Sequence, residues 1–534
     1  MTARRLARIA LLFLLLAVAR TAVPTEPSVR DLLDAQGLVQ LPDDPDELFD
    51  ANAVRRFYTR RGFKPAWTGP GCQAALQELI GAIENSESHG LSARDYHMDG
   101  LLGRDRCAAS RELLATDAWL ALAAHLHAGR VNPLTVEPDW TATRPTIDAV
   151  ALLEQALAAG DVGAALERLA PHDPLYAALR RALARYRGFA ARGGWVGIAP
   201  GPPLRRGDRG TRVGQLRARL ELSGLVEAEP ATATDLVFDE SMEAAVRTFQ
   251  RRTNLEPDGV VGALTLTQLN RRATNRIDQA RANLERLRWL PEDMGRRHIR
   301  VNIADYSLEA WADGAVEQLH RVIVGKQYRS TPSFSARITR LVFSPWWEVP
   351  RSLAVKDKLP LFRRDPGALA RFGYVVIDRD GNAVDPAGID WKALSANNFP
   401  YRLRQRPGPN NALGAVKFLF PNTHDVYLHD TSDPALFNHV RRSFSSGCIR
   451  VESALDLARW VLAPMPEWTR ERVDAAAAAG EEQIVELREP VPVHLLYLTA
   501  VSDGNGGVRF IDDVYDRDPA LVRALDRAPP VVTP

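Results

Sequence analysis

Apolar residues recur every three or four positions through much of the first third of the chain, and this period is typical of amphipathic helices. The clearest runs cover residues 74–83, 117–127 and 149–158. We therefore predict a helical domain over residues 40–190. From 191 to 203 glycines and prolines interrupt any regular period, which predicts a linker.

A second, compact set of helical runs follows the linker, over residues 204–270. Two amphipathic helices are predicted at 213–222 and 242–253, and a glycine-bearing turn at 258–262 leads into a short third helix. A further run over 271–295 has apolar residues at helical spacing. It predicts a helix that connects this three-helix unit to the last domain.

The hydrophobic period changes in the last domain, where alternating and short apolar runs replace the helical spacing. Residues 299–303 alternate, and the runs at 319–325 and 415–420 are bounded by turn residues, as strands are. Two apolar runs at 493–500 and 508–511 flank a glycine-rich turn and predict a terminal hairpin. We therefore predict that this domain is rich in β-structure.

Together these patterns predict a multidomain α+β protein with a helical scaffold domain, a three-helix module and a mixed, mainly-β domain. The mainly-β domain is predicted over residues 296–520, followed by a tail at 521–534. The composition of the 534-residue chain, 46% hydrophobic and 25% charged, excludes a largely disordered protein.

A basic and then apolar stretch begins the chain. Arg4, Arg5 and Arg8 precede an apolar run over residues 9–19, which ends in small residues. This layout predicts a secretory signal peptide at 1–22 that is cleaved on export. The alternative is an uncleaved anchor, but the run is shorter than the roughly 20 residues that a membrane-spanning helix needs. We therefore expect that the mature chain is not an integral membrane protein.

The charge balance changes once this leader is removed. The full chain carries a formal net charge of +2, and residues 1–19 contribute three arginines and no acids. The mature chain is therefore slightly acidic and lacks the basic footprint of a nucleic-acid-binding protein. We expect no nucleic acid among its partners.

Three cysteines can form at most one disulfide within the chain. Cys72 and Cys107 both lie in the predicted helical domain, and export would permit a bond between them. Two unpaired thiols are the alternative, and the sequence leaves both open. If the two do pair, Cys448 is left as the free thiol.

The chemistry-bearing residues of the mainly-β domain cluster near its centre. On a strand, Tyr427 and His429 would share one face, and residues 445–448 form a glycine-bearing bend that carries the thiol of Cys448. A neighbouring imidazole can take the proton of such a thiol and yield a nucleophilic thiolate. The second imidazole nitrogen then needs an acceptor, either a backbone carbonyl near Asp430 or the carboxylate of that residue. A buried cysteine and an unrelated polar histidine are the competing interpretation.

Two further groups beside the thiol suit an acyl transfer. Backbone N–H groups at the bend could form an oxyanion hole. Arg450, two residues beyond Cys448, would share its face on an extended strand and could hold a substrate carboxylate.

The string His429-Asp430-Thr431, followed by Ser446-Gly447-Cys448-Ile449-Arg450, resembles the signature of the L,D-transpeptidases of peptidoglycan, which have a YkuD-type catalytic domain. Other stretches, among them Pro345-Trp346-Trp347-Glu348-Val349-Pro350, resemble the large periplasmic, YcbB-like subtype. Residues 204–270 resemble the three-helix peptidoglycan-binding module of many cell-wall enzymes, and residues 40–190 resemble the scaffold domain of that subtype.

This resemblance implies that Cys448 attacks the carbonyl between meso-diaminopimelate and D-Ala of a tetrapeptide stem, with His429 as base and then acid. D-Ala leaves, a thioester forms, and a side-chain amine of a second stem completes a 3→3 cross-link. Neither a metal nor an organic cofactor is needed, and the sequence contains no HExxH or CxxC motif. The further site residues implied are Asp430 and Gly447 as catalytic residues, and Arg450, Tyr427, Ser446, Trp346 and Trp347 as substrate-binding residues.

The resemblance also implies a mobile lid insert over about 345–412, for which core packing of Trp346 and Trp347 is the alternative. The implied partners are a donor tetrapeptide and an acceptor stem of peptidoglycan, and carbapenems are implied as acylating inhibitors. The implied setting is cell-wall biogenesis and cell shape in the periplasm of a Gram-negative-type bacterium. An L,D-carboxypeptidase that hydrolyses the same thioester and a non-catalytic peptidoglycan-binding protein remain as alternatives.

Overall fold

A computed structural model of the chain describes residues 28–34, 48–69, 72–103, 108–227 and 237–529. The predicted signal peptide and Cys107 lie outside the described residues. Within them the chain forms helical domains followed by a mainly-β domain, so the predicted multidomain α+β class is confirmed.

A long helix organises the first domain. The helices of this domain are α1 (Val29–Asp34), α2 (Ala51–Arg60), α3 (Gln73–Asn85), α4 (Met98–Leu102), α5 (Ala108–Ala128), α6 (Ala149–Ala159), α7 (Val162–Arg168) and α8 (Pro174–Ala191). Helix α5 is buried around most of its circumference, because it has apolar residues on nearly every side. Its buried carboxylates Glu112 and Asp117 accept backbone N–H groups from the segments that cross it.

The second domain is the predicted three-helix unit, formed by α9 (Thr211–Leu222), α10 (Glu240–Arg252) and α11 (Ala263–Leu269). Asp239 caps α10 by accepting the N–H of Met242. The turn before α11 is held by the side chain of Gln250, which accepts the N–H of Gly259 and donates to the carbonyl of Val260.

Helix α12 (Ala273–Arg288) connects the helical domains to the β domain through buried polar contacts. Gln279 donates to two backbone carbonyls of the β domain, and Asn283 accepts the N–H of Thr499. Arg288 pairs with Glu285, and the side chains of both are fully buried. Buried polar residues of this helix therefore contribute to the contact between the helical and β domains.

The strands of the last domain form one large sheet and two smaller ones. The large sheet contains β1 (Arg297–Asn302), β2 (Ser307–Ala312), β3 (Ala315–Gly325), β4 (Phe334–Phe343), β9 (Val416–Leu419), β10 (Leu428–His429), β11 (Ser443–Ser445), β12 (Ile449–Val451) and β13 (Gln483–Leu496). Its order is β11-β3-β12-β10-β9-β4-β13-β1-β2, and β2 also pairs with β3, so the pairings close into a circuit around an apolar core. Helices α16 (Ala454–Leu462) and α17 (Arg470–Ala478) follow β12 and pack against this core.

A terminal hairpin forms between β14 (Ala500–Ser502) and β15 (Val508–Phe510). Its second strand lies where it was predicted, but the first shares only Ala500 with the predicted strand at 493–500. Residues 493–496 instead extend β13 and pair with β1 and β4. Helix α18 (Asp518–Leu525) then crosses the boundary predicted between the domain and its tail, and it buries Leu521 and Leu525.

The segment between β4 and β9 forms a small unit with its own core. We keep the name lid insert for residues 345–412. Its elements are β5 (Trp347–Val349), α13 (Arg351–Leu353), a π-helical turn (Ala354–Lys358), α14 (Leu359–Arg364), α15 (Ala368–Arg371), β6 (Tyr374–Ile377), β7 (Ala383–Val384) and β8 (Arg402–Gln405). The four strands pair in the order β5-β8-β6-β7, and Phe362, Trp391 and Leu403 fill the core beneath them.

Replacing Glu285 by Gln is expected to lower the free energy of unfolding by about 3–5 kcal/mol, because Arg288 loses the anion of a fully buried pair. The control is Arg488→Gln, which breaks a pair with Glu467 whose side chains are 64% and 36% exposed and is expected to cost less than about 1 kcal/mol. Urea denaturation measures both, and equal effects would contradict the buried pair's importance.

Candidate active site

Two short parallel strands place the candidate residues on one face. Leu428 of β10 pairs with Ile449 of β12, and His429 pairs with Arg450. Leu428 and Ile449 are fully buried in the core of the large sheet. Since side chains alternate along a strand, His429 and Arg450 point to the opposite face, toward which the flanking Tyr427 and Cys448 also project.

The bend before β12 is fixed by hydrogen bonds on both sides of the thiol. Thr331 Oγ1 donates to the carbonyl of Gly447 at 2.8 Å, and Ser445 Oγ donates to the carbonyl of Cys448 at 2.5 Å. Gly447 has φ +122°, a left-handed backbone that suits glycine. These contacts hold the thiol at the end of a rigid turn.

The two backbone N–H groups at this bend, those of Gly447 and Cys448, differ in their present hydrogen bonding. The N–H of Gly447 donates to Ser445 Oγ at 3.2 Å. The N–H of Cys448 has no acceptor within the described part of the chain. Without rearrangement of Ser445, the Cys448 N–H is therefore the available donor.

The ring of His429 is oriented by a backbone carbonyl, which is one of the two acceptors left open by the sequence. Its Nδ1 lies 2.5 Å from the carbonyl oxygen of Asp430. A carbonyl can only accept, so Nδ1 carries the proton and Nε2 keeps a lone pair. The imidazole is thus in the tautomer that can accept a proton at Nε2.

The carboxylate of Asp430 has a different function in the structure. It accepts the N–H of Ala415 at 2.8 Å and lies against Gly414, where a Cβ atom would be only 2.3 Å from it. Asp430 therefore contacts His429 through its carbonyl, while its carboxylate fixes the start of β9.

His429 is flanked by a cation on each side. Arg450 is its partner on β12, and Lys417 is its partner on β9. The pKa of His429 is lowered to about 3, chiefly by burial and then by the positive charges of Arg450 and Lys417, while the hydrogen bond to the Asp430 carbonyl opposes the shift. The imidazole is therefore neutral at physiological pH.

The thiol is also neutral at rest. Burial raises the pKa of Cys448 to about 11, although hydrogen bonds from Tyr427 oppose the shift. The Sγ atom lies 3.6 Å from the carbonyl oxygen of Asp425, to which it donates. The two candidate reactants are thus an uncharged thiol and an uncharged imidazole, with the Tyr427 ring 5.6 Å from that of His429.

The lid insert contacts this face at two points. Tyr427 packs against the core of the lid insert, which includes Trp347. Arg329 donates to Asp357 of the π-helical turn and to Ser446 Oγ, each at 2.9 Å. Arg329 therefore links the lid insert to the bend that carries the thiol.

The structure brings together most of the residues named from the sequence, but it separates the two tryptophans. Trp347 belongs to the lid-insert core against which Tyr427 packs. The ring centre of Trp346 instead lies 4.5 Å from the guanidinium carbon of Arg404, and its backbone N–H donates to Glu482. Sequence reasoning missed Lys417, Arg329, Asp357 and Lys358. Only Lys417 carried a signal, as a lone charge within the apolar run at 415–420.

The predicted disulfide stays a prediction, because Cys107 lies outside the described residues. Cys72 forms no disulfide with any described residue. No cluster of three or more His, Cys, Asp or Glu side chains that could hold a metal occurs in the described part of the chain.

Alkylation of Cys448 by iodoacetamide is expected to accelerate about tenfold per pH unit between pH 7 and 9, because only the thiolate reacts and its pKa lies above this window. Peptide-mapped mass spectrometry separates Cys448 from the other thiols. His429→Ala is expected to keep this slope. A rate that is already constant above pH 7 would contradict the neutral pair.

Family comparisons agree with the three-part architecture. A model described as "Scaffold domain" matches residues 52–183. One described as "Putative peptidoglycan binding domain" matches residues 209–269, and one described as "L,D-transpeptidase catalytic domain" matches residues 296–492. The last range contains both His429 and Cys448.

A curated protein of similar sequence has a name that agrees with the last of these models. A Haemophilus influenzae protein named "Putative L,D-transpeptidase" is 39% identical over 236 residues, which are 44% of this chain and 47% of that protein. This chain thus matches about half the length of that curated relative.

Solved structures of two L,D-transpeptidases are also similar. One, from Xylanimonas cellulosilytica, is 16% identical with a TM-score of 0.19, covering 56% of this chain and all of that one. The other, from Stackebrandtia nassauensis, is 14% identical with a TM-score of 0.22, covering 56% and 97%. Such low scores add nothing to the description of this fold. From the family models, the chain contains an L,D-transpeptidase catalytic domain of the YkuD family, joined to a scaffold domain and a peptidoglycan-binding domain.

Proposed function

We propose that this protein is an L,D-transpeptidase that forms 3→3 cross-links between peptidoglycan stem peptides through a thioester on Cys448. The observation that carries the proposal is the shared face of β10 and β12, from which the thiol and an imidazole both project. Nδ1 of that imidazole is held by a carbonyl, and Nε2 has no hydrogen-bond partner among the described residues. A thiol, a base and an oriented second nitrogen are the parts that nucleophilic acyl transfer requires.

The first half-reaction forms the thioester. Cys448 Sγ attacks the carbonyl between meso-diaminopimelate and D-Ala of a donor tetrapeptide, and its proton passes to Nε2 of His429. The Cys448 N–H stabilises the negative oxygen of the tetrahedral intermediate, with Gly447 N–H as a second donor if it leaves Ser445. The C–N bond then breaks, His429 returns the proton to the departing amine, and D-Ala is released.

The second half-reaction transfers the acyl group to an amine. The side-chain amine of an acceptor stem attacks the thioester carbonyl and gives its proton to His429. The C–S bond breaks, and the thiolate of Cys448 takes that proton back. Cys448 and His429 are both neutral at rest. The proton of the thiol therefore moves to His429 as the bond from sulfur to carbon forms, and not in an earlier ionisation step.

The lid insert supports transfer to an amine rather than to water. Tyr427 packs against the lid-insert core that includes Trp347, and Arg329 bonds both Asp357 and Ser446. These contacts support the proposal that the lid insert covers the thiol and excludes solvent during reaction. Tyr427, Ser446 and Arg450 line the same face and are proposed to bind the donor stem. Trp346, which contacts Arg404 and Glu482, has no role in this proposal.

The proposed setting is the periplasm, where the second domain would hold the protein on peptidoglycan as its substrate and partner. In the part of the chain that the structure describes, no helix has the length and apolar character to span a membrane. The proposed signal peptide would deliver the protein to this compartment and then be removed.

Incubating the mature protein with disaccharide-tetrapeptides is expected to give 3→3 dimers and free D-Ala, measured by muropeptide chromatography and mass spectrometry. Cys448→Ala is expected to abolish both products, and His429→Ala to slow them by about 10²–10⁴-fold. The matched control is Cys72→Ser, which removes a thiol of the scaffold domain and is expected to keep full activity.

Other products would assign a different function. Tripeptides without dimers would identify an L,D-carboxypeptidase, in which water resolves the thioester. An unchanged tetrapeptide, together with retention of the protein on peptidoglycan, would identify a non-catalytic binding protein. Activity in the Cys448→Ala variant would contradict the proposed nucleophile.

A further inference from the structure

Lys358, a lysine of the lid insert, has no anionic partner among the described residues. Lys358 ends the π-helical turn, is half-buried, and has its Nζ 5.4 Å from the ring centre of Trp347 and 5.3 Å from that of Tyr374. It makes no ion pair or hydrogen bond with any described residue, because the adjacent Asp357 is engaged by Arg329. The two aromatic faces hold the ammonium in place without neutralising it.

Arg450 is a second cation that forms no ion pair with any described residue. Its guanidinium is largely buried, and its Nε has no hydrogen-bond partner in the part of the chain that the structure describes. Asp433 is the acid whose charge acts on it most, but the two form no ion pair within the described structure. A buried guanidinium with a free donor is a place where an external acceptor would be stabilised.

The contacts of the lid insert bring Lys358 toward the face of β10 and β12 from which Arg450 and the thiol project. Lys358 lies over Trp347, and Tyr427 packs against the lid-insert core that includes Trp347. Tyr427 and Cys448 directly precede the paired residues Leu428 and Ile449, so they flank the same face. Arg329 also clamps Asp357, the neighbour of Lys358, to Ser446 beside the thiol. The charge of Arg450 in turn lowers the pKa of Lys358, after the larger effect of burial, so the two cations act on one another.

We propose that Lys358 and Arg450 form a carboxylate-binding subsite for the C-terminal D-Ala of the donor stem. This inference rests on the proposed function and specifies the donor that it takes. The carboxylate of a terminal D-Ala is three bonds from the carbonyl that Cys448 would attack, so it reaches only a site immediately beside the thiol. Two unpaired cations there would each gain a charge-assisted hydrogen bond.

The subsite has a consequence for the order of events. While the donor is intact, its carboxylate would lie between a cation of the lid insert and a cation of β12, and so would hold the lid insert closed. When D-Ala leaves, that anion leaves with it, and the two cations again repel one another. Departure of the first product would thus loosen the cover before the acceptor stem enters.

The test compares two donors that differ only at the C-terminus, a disaccharide-tetrapeptide ending in D-Ala and one ending in D-alaninamide. Initial rates of release of the terminal residue give kcat/KM for the wild type and for Lys358→Met, Lys358→Arg and Lys356→Met. Lys356 is the control, because it belongs to the same π-helical turn but is exposed. Circular dichroism and thermal unfolding check that each variant is folded.

The wild type is expected to prefer the carboxylate donor by about tenfold or more, the effect of a hydrogen bond to a charged group. Lys358→Met is expected to lose most of this preference by slowing the carboxylate donor alone. Lys358→Arg is expected to keep much of it, and Lys356→Met all of it.

Three outcomes would contradict the account at different levels. Equal slowing of both donors by Lys358→Met would overturn the subsite and indicate a structural or proton-transfer role. An unchanged preference in that variant would also overturn it. Release of neither terminal residue by the wild type would overturn the proposed function itself.

Discussion

The parallel pairing of β10 with β12 is the constraint on which the rest of the site depends. Its register, Leu428 with Ile449 and His429 with Arg450, buries one pair in the core and turns the other outward. A slip of one residue would exchange the two faces. The packing of Leu428 and Ile449 therefore sets the position of the imidazole and, one residue before Ile449, of the thiol.

The surroundings of this pair favour uncharged reactants. Burial lowers the pKa of His429 and raises that of Cys448, while Arg450 and Lys417 discourage a third positive charge on the imidazole. A neutral thiol is protected from unwanted nucleophilic reactions until a substrate carbonyl is placed against it. Arg450, which helps to keep the imidazole neutral, is also one of the two cations of the proposed carboxylate subsite.

Sequence reasoning predicted much of the fold, because the relevant patterns are local. The helical periods of the first two domains and the spacing of His429 and Cys448 could be read from the chain directly. The acceptor for His429 could not be decided, since a backbone carbonyl and a carboxylate of the same residue look alike in sequence. Lys358 and Arg329 were missed because their contacts with Trp347 and with Ser446, the latter beside the thiol, are tertiary. Residues 493–500 were predicted as one hairpin strand. The pairing of residues 493–496 with β1 and β4 is also non-local, so the sequence did not reveal it.

The most direct test of the account is a mass measurement of the intact mature protein after incubation with a carbapenem, followed by peptide mapping. A β-lactam carbonyl can be opened by the thiol without an acceptor, so the measurement isolates the nucleophile from the later steps. The account predicts a single adduct, located on Cys448 and absent from the Cys448→Ala variant. An adduct that persists in that variant, or a wild-type protein that remains unmodified, would contradict it.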